Sequence, residues 1–208
     1  DEQRRFRKLV VNAVLATDIL DKELHNLRKA RWNMAFNDQF ELSPSQGVQH
    51  MHRKATIVIE HIMQASDVAH TMQHWQIFCK WNERLFQEQY KTFLAGHTDC
   101  DPSIGWYSGE IGFFDSYVIP LAKKLEDCGV FGVSSDEYLT YALENRQEWV
   151  RKGKDVVKTM VQRAQSLGPS KRDLVRTKPT RQQQQHQSKT KSRSSLSVVD
   201  SIYGVMTA

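Results

Sequence analysis

Asp67, His70 and His74 close an apolar stretch that spans residues 60–75. Their spacings of three and seven place them on one face of a helix, provided one helix runs through all three. One carboxylate and two imidazoles on a common face are donors that a divalent metal takes. The same residues also read as a plain helix start, with Asp67 capping a new turn and the imidazoles in solvent. Of the eight histidines, His50, His52 and His61 read as surface or internally satisfied residues.

Glu110-Ile111-Gly112-Phe113-Phe114-Asp115 is a second constellation. It reads as a helix that opens on an acid, with a glycine for close approach and two aromatic rings. A ring beside a polar side chain at a helix mouth can hold a flat heterocycle by stacking and hydrogen bonds. The alternative is a core helix whose first residue complements its own dipole. The chain contains no Gly-rich phosphate loop, no G-x-S-x-G and no C-x-x-C. Phosphate-loop, serine-hydrolase and thioredoxin-type chemistry therefore have no motif to stand on.

The elements that must position these residues are helical. Phe6, Leu9, Val10, Ala13 and Val14 recur at threes and fours, an amphipathic helix. Asp18 precedes a second periodic run, Ile19, Leu20, Leu24 and Leu27, and reads as its N-cap, with the helix ending near Trp32. Residues 37–52 read as a loop, interrupted by Pro44 and Gly47. Residues 53–66 form a helix with a buried stripe of Ile57, Val58, Ile62 and Ala65, and a long helix runs over about 73–94. Its aromatic residues, Trp81 among them, read as core. Residues 96–109 read as a second loop, rich in Gly, Asp and Pro. Residues 110–127 are apolar all round and belong at the centre of the fold, with Pro120 kinking them or leaving them locally open. A last helix covers about 135–166. No strand pattern survives, so the fold class is all-α.

Charge separates a body from a tail. The 208 residues carry +5, but residues 169–208 hold eight Lys or Arg against two acids, leaving residues 1–168 at −1. A near-neutral body gives no electrostatic case for nucleic-acid binding. The Gln- and Ser-rich basic stretch of 169–208 reads as a disordered tail, with contact to anionic lipid or an acidic partner as the competing assignment. Three cysteines without paired spacing suit a reducing, cytoplasmic setting. No secretory leader and no run long enough for a membrane span is present in the sequence given.

Four segments in order resemble the class I cyclic-nucleotide phosphodiesterases. Val14-Leu15-Ala16-Thr17-Asp18-Ile19 resembles the family's V-L-A-T-D-M. Gln64-Ala65-Ser66-Asp67-Val68-Ala69-His70 resembles H-C-A-D-[IL]-S-N. Glu110 to Asp115, with Pro120-Leu121 following, resembles Q-x-G-F-[IF]-D and its later P-L. Leu143-Glu144-Asn145-Arg146-Gln147-Glu148-Trp149 resembles L-E-x-N-R-x-W with a one-residue shift.

The resemblance implies a multi-helix, HD-type catalytic domain that hydrolyses cAMP or cGMP to the 5′-monophosphate. Two metals, Zn²⁺ and Mg²⁺ (or Mn²⁺), hold the hydroxide that attacks phosphorus in line. It makes Asp67 the late metal ligand, while His70 stands where the family has Asn and His74 matches no ligand. Phe113 takes the place of the ring that stacks on the purine, and Leu85 that of the apolar residue on the base's opposite face. Thr17, Asp18 and His70 fall near the metal pocket.

Two departures accompany it. The family's H-N-x-x-H and H-D-x-x-H motifs do not occur in these residues. Residues 1–168 are therefore expected to be the C-terminal half of a catalytic domain, incomplete on its N-terminal side, without catalytic residues of its own and inactive alone. The family also permits fusion to a receptor or cyclase, which would put the domain on the cytoplasmic side of a membrane. Secondly, Glu110 replaces the glutamine that reads the purine edge, and Gln89 stands where a ring is usual. A Gln amide donates and accepts, whereas an ionised Glu accepts alone, so nucleotide preference or affinity should change. The competing reading is a degenerate domain that binds nucleotide or a partner without turnover.

Overall fold

The computed structural model describes residues 1–19, 21–36, 44–129 and 131–166. Their elements are α1 (Glu2–Ala16), α2 (Lys22–Phe36), α3 (Pro44–Asp67), a 3₁₀ turn (Ala69–Met72), α4 (Trp75–Leu94), α5 (Pro102–Phe113), a π-helical turn (Phe114–Val118), α6 (Ile119–Asp127), a second 3₁₀ turn (Gly132–Ser134) and α7 (Glu137–Ser166). No strand occurs among the described residues, as the all-α reading expects. The readings made for the tail at 169–208 lie outside them.

Contacts divide the chain into two units. The first joins Asp1–Trp75 to Phe113–Asn145; the second joins Gln76–Gly112 to the chain from Arg146 onward.

In the first unit α3 is the hub and packs against α1, α2 and α6. Trp32, Ala35 and Ile57 form a buried cluster, with Phe36 and Cys128 packed against it. Trp32 stacks on Phe36 at 4.2 Å between centroids, and the Lys124 ammonium sits 5.4 Å from the Trp32 ring. Phe114, Val118, Leu121, Ala122 and Leu125 are buried, which fits the apolar stretch that sequence placed centrally. The first helix departs from expectation: Ala16 is its one buried residue, and Phe6, Val10 and Val14 are exposed.

In the second unit Phe86 meets Trp106 edge-on at 5.0 Å, and Phe78 meets Trp149 at 5.5 Å. Both indoles find acceptors, Trp106 on Asn82 Oδ1 at 2.9 Å and Trp149 on the Tyr107 carbonyl at 3.1 Å. A buried indole N–H without a partner would forfeit the desolvation cost of the group, about 1–3 kcal/mol. Gly153 is there because a Cβ would lie 2.9 Å from the Trp149 ring. Trp81, read as core, is 48% exposed instead, and the Arg84 guanidinium covers its face at 4.8 Å. Its flat face is satisfied by a cation rather than by burial.

Four boundaries differ from the sequence reading. The loop expected over 37–52 lies outside the described residues as far as 43, and from Pro44 onward the chain is helix. The loop expected over 96–109 gives way at Pro102, where α5 starts. Both prolines occupy the first helical position, where the missing N–H costs nothing and the fixed φ is already helical. Asp101 caps α5, its Oδ1 accepting the Ser103 N–H at 2.8 Å. For α2 the cap is Asp21, which accepts the Leu24 N–H at 3.0 Å, and not Asp18; the helix then runs past Trp32 to Phe36. Pro120 acts as expected in kind. The turn before α6 widens, and the Ile119 N–H reaches back five residues to the Phe114 carbonyl.

Candidate functional site

Sequence left two readings for Asp67, His70 and His74: one shared helical face, or a new turn at Asp67 with the histidines exposed. The structure separates them. Asp67 ends α3, His70 lies in the 3₁₀ turn, and Gln73 is extended (φ −129°, ψ 179°) before α4 begins at Trp75. The helical period breaks twice, so spacings of three and seven no longer define a face. Asp67 is exposed. His70 is half-buried, and burial lowers its imidazole pKa. His74 is exposed and hydrogen-bonds the Tyr141 hydroxyl at 3.2 Å, with the rings 4.8 Å apart.

The turn that carries His70 is held from within and from outside. Thr71 Oγ1 donates to the Val68 carbonyl at 2.6 Å. The buried Asn145 carboxamide donates to the carbonyls of Thr71 at 2.9 Å and Gln73 at 2.6 Å. These are backbone acceptors that a broken helix would otherwise leave unmet.

The end of α1 is fixed in the same way. Thr17 Oγ1 donates to the Val14 carbonyl at 2.8 Å. The Arg28 guanidinium donates to the carbonyls of Leu15 at 3.1 Å and Asp18 at 2.8 Å. Gln64, one turn before Asp67, donates to the Ala16 carbonyl at 3.0 Å. Thr17 and Asp18 are thus positioned by α2 and α3. The Asp18 side chain is exposed, and its Oδ1 accepts the Asp21 N–H at 3.3 Å.

Phe113 and Tyr117 belong to the same unit. Phe113 is half-buried, and its ring stacks on Tyr117 at 5.5 Å with 17° between planes. Burial pushes the Tyr117 phenol well above its ordinary pKa. Among nearby charges Arg28 opposes that shift and Asp67 adds to it. The phenol therefore lies within electrostatic reach of Asp67 and Arg28, and stays protonated at neutral pH.

The remaining predicted contacts fall in the second unit. Leu85 is a half-buried residue of α4, as is Gln89. Glu110 does not open a helix. It lies in the last turn of α5 and is 4% exposed. At that end the helix dipole offers no help to a carboxylate, so neighbouring groups must offset its burial.

Among the described residues no three His, Cys, Asp or Glu side chains come together as a metal site. Asp67 can offer one carboxylate, and by themselves these residues do not fit a bound metal ion. A cavity of about 450 Å³ in the first unit, lined by Arg31, Met34, His52, Arg53 and Thr56, holds none of the predicted site residues.

Sequence reasoning missed Asn145, Gln64 and Arg28 as positioning groups. For Asn145 and Gln64 a signal existed, since each is a polar residue within a quoted motif.

A family model described as 3′5′-cyclic nucleotide phosphodiesterase matches residues 1–130. That span contains Thr17, Asp18, Asp67, His70, Leu85, Glu110 and Phe113, and stops short of the 143–149 segment. Comparison with curated proteins and with solved structures gave no match.

Proposed function

This chain belongs to the 3′,5′-cyclic nucleotide phosphodiesterase family, and we propose that it forms the base-binding wall and part of the metal wall of an enzyme that converts cAMP or cGMP to the 5′-monophosphate. The family is a metal-dependent class of hydrolases. In this reading Phe113 stacks on the purine, Leu85 covers the opposite face of the base, and Asp67 donates one carboxylate to the metal centre. Thr17, Asp18 and His70 border that centre. Zn²⁺ with Mg²⁺ or Mn²⁺ is the proposed metal pair.

The observation that carries the reading lies within the first unit. The ring assigned to the purine, Phe113, is stacked on Tyr117 in the same unit that holds the proposed ligand Asp67. A base-stacking ring and an acid within one unit suit a nucleotide whose phosphate must reach a metal. No catalytic step is routed through the metals, because the described residues do not themselves form a site for them. The histidine motifs that the resemblance implies are not in the 208 residues, so this chain by itself is expected to hydrolyse neither nucleotide. A cytoplasmic location and fusion to a receptor or cyclase domain belong to the same proposal.

The test is a hydrolysis assay for both nucleotides on a form of the protein that includes the histidine motifs. Asp67→Ala should lower kcat/KM by about 100-fold or more, the scale of losing one preorganised electrostatic group. Glu110→Gln should alter the cAMP-to-cGMP ratio, since it restores a donor at the purine edge. Nucleotide binding without turnover would establish the degenerate binding domain instead. Full rate and metal content in Asp67→Ala would remove Asp67 from the site.

A further inference from the structure

Phe113 ends α5 at the mouth of the π-helical turn, and Tyr117 follows inside that turn. Residues four apart already neighbour each other along a helix. Here the two rings lie nearly parallel, 5.5 Å between centroids and 17° between planes. Tyr117 is thus the ring stacked on Phe113, and Phe113 keeps part of its surface in solvent.

A ring that must stack on a flat base needs its plane fixed before the base arrives. Otherwise binding must supply the entropy of stopping its rotation. Tyr117 is suited to fixing it. The residue is half-buried on a turn that ends in the buried Val118 and leads into the buried Leu121 and Ala122 of α6.

We infer that Tyr117 is a positioning residue for base recognition: its ring backs Phe113 across the π-helical turn and holds the Phe113 plane ready to stack on the purine of the substrate. The inference rests on the reading of Phe113 given above and adds a residue to it. The ring carries the effect; the hydroxyl is not required for it.

The experiment has two arms. In the 208-residue chain, NMR of the Phe113 ring protons reports the stack directly through ring-current shifts, without any need for turnover. Tyr117→Leu should move those shifts, and Tyr117→Phe should keep them near the parent values. Unchanged Phe113 shifts in Tyr117→Leu would overturn the stack itself. In a hydrolytically active form of the protein, Tyr117→Leu should raise KM for cyclic nucleotide about three- to tenfold, the scale of one aromatic pair. Its kcat should stay within about twofold of the parent, because the interaction orients the base and not the reacting phosphate. Tyr117→Phe should rescue KM. Where Tyr117→Leu does not fold, Tyr117→Met takes its place with the same expectations. Equal losses in the Phe and Leu variants would assign the effect to the hydroxyl and sink the inference. A KM unmoved by loss of the ring would do the same. If the parent form hydrolyses nothing, the function reading fails, while the NMR arm still decides whether Tyr117 holds Phe113.

Discussion

His61 lies on α3 with its ring 4.7 Å from Trp32 and its Nδ1–H donating to the Ile57 carbonyl at 2.7 Å. Burial lowers its pKa from 6.5 to about 4; the Ile57 bond raises it, while Lys124, Arg28 and Arg31 push it down further. A base with a depressed pKa is neutral in the fold and takes up a proton more readily when unfolded. Its contribution to stability is therefore complete above pH 6.5 and is lost as pH falls from 6.5 toward about 4. The loss should be on the order of 3 kcal/mol, from the size of that shift. Denaturant midpoints of the 208-residue chain between pH 7 and pH 4, beside those of His61→Phe, would measure it. The variant should start less stable and show a flatter pH dependence; parallel curves would exclude His61 as the acid-sensitive group. The sequence left His61 as either surface or internally satisfied; the structure buries it, and its bond to Ile57 satisfies it. Phe113 and Asp67 could be assigned roles in advance through their motifs. Tyr117 could not: its spacing from Phe113 makes the two neighbours, but that their rings lie parallel shows only in the structure.

Helical interiors were legible at the scale of elements, and their ends much less so. Period and length identify α4 and the core of α3 directly. Pro44 and Pro102 misled because Pro, Gly, Ser and Asp mark both loops and helix starts. Asp67, His70 and His74 were open to two readings, one shared face or a chain that breaks at Asp67, and the helix stops at Asp67. The break is enforced from far along the chain. Asn145, 74 and 72 residues away from its acceptors, binds the carbonyls of Thr71 and Gln73. Asn145→Ala should leave the buried Thr71 acceptor unmet and open the part-buried Gln73 acceptor to water. Each lost bond is worth about 1 kcal/mol and each stranded group costs up to about 3, so a loss of about 2–4 kcal/mol is expected. Hydrogen exchange should localise the effect to residues 68–75 together with α7. Uniform acceleration across the first unit, or none at all, would show that the turn holds its shape without the clamp.

For the molecule as a whole, family and fold class were legible because they depend on ordered motifs and on helical period, which the sequence carries linearly. Completeness of the metal centre is a different kind of property, because it requires donors that meet in space. The family is metal-dependent, yet no three donor side chains meet among the described residues. Two of the three residues first read as ligands have other circumstances: His74 pairs with Tyr141, and His70 is half-buried in a turn. One exposed carboxylate competes poorly for a divalent ion, since tight sites need several deprotonated ligands held at the correct distances. The 208-residue chain should therefore retain well under about one equivalent of zinc after dialysis against a chelator. Asp67→Ala should not change that figure. In a form that includes the histidine motifs, metal content should approach the full complement, and Asp67→Ala should lower it. Elemental analysis of the four samples separates the two accounts. If the 208-residue chain kept zinc stoichiometrically and lost it with Asp67→Ala, the ligand set would be local to this chain, and the assignment of its missing members to the histidine motifs would be wrong.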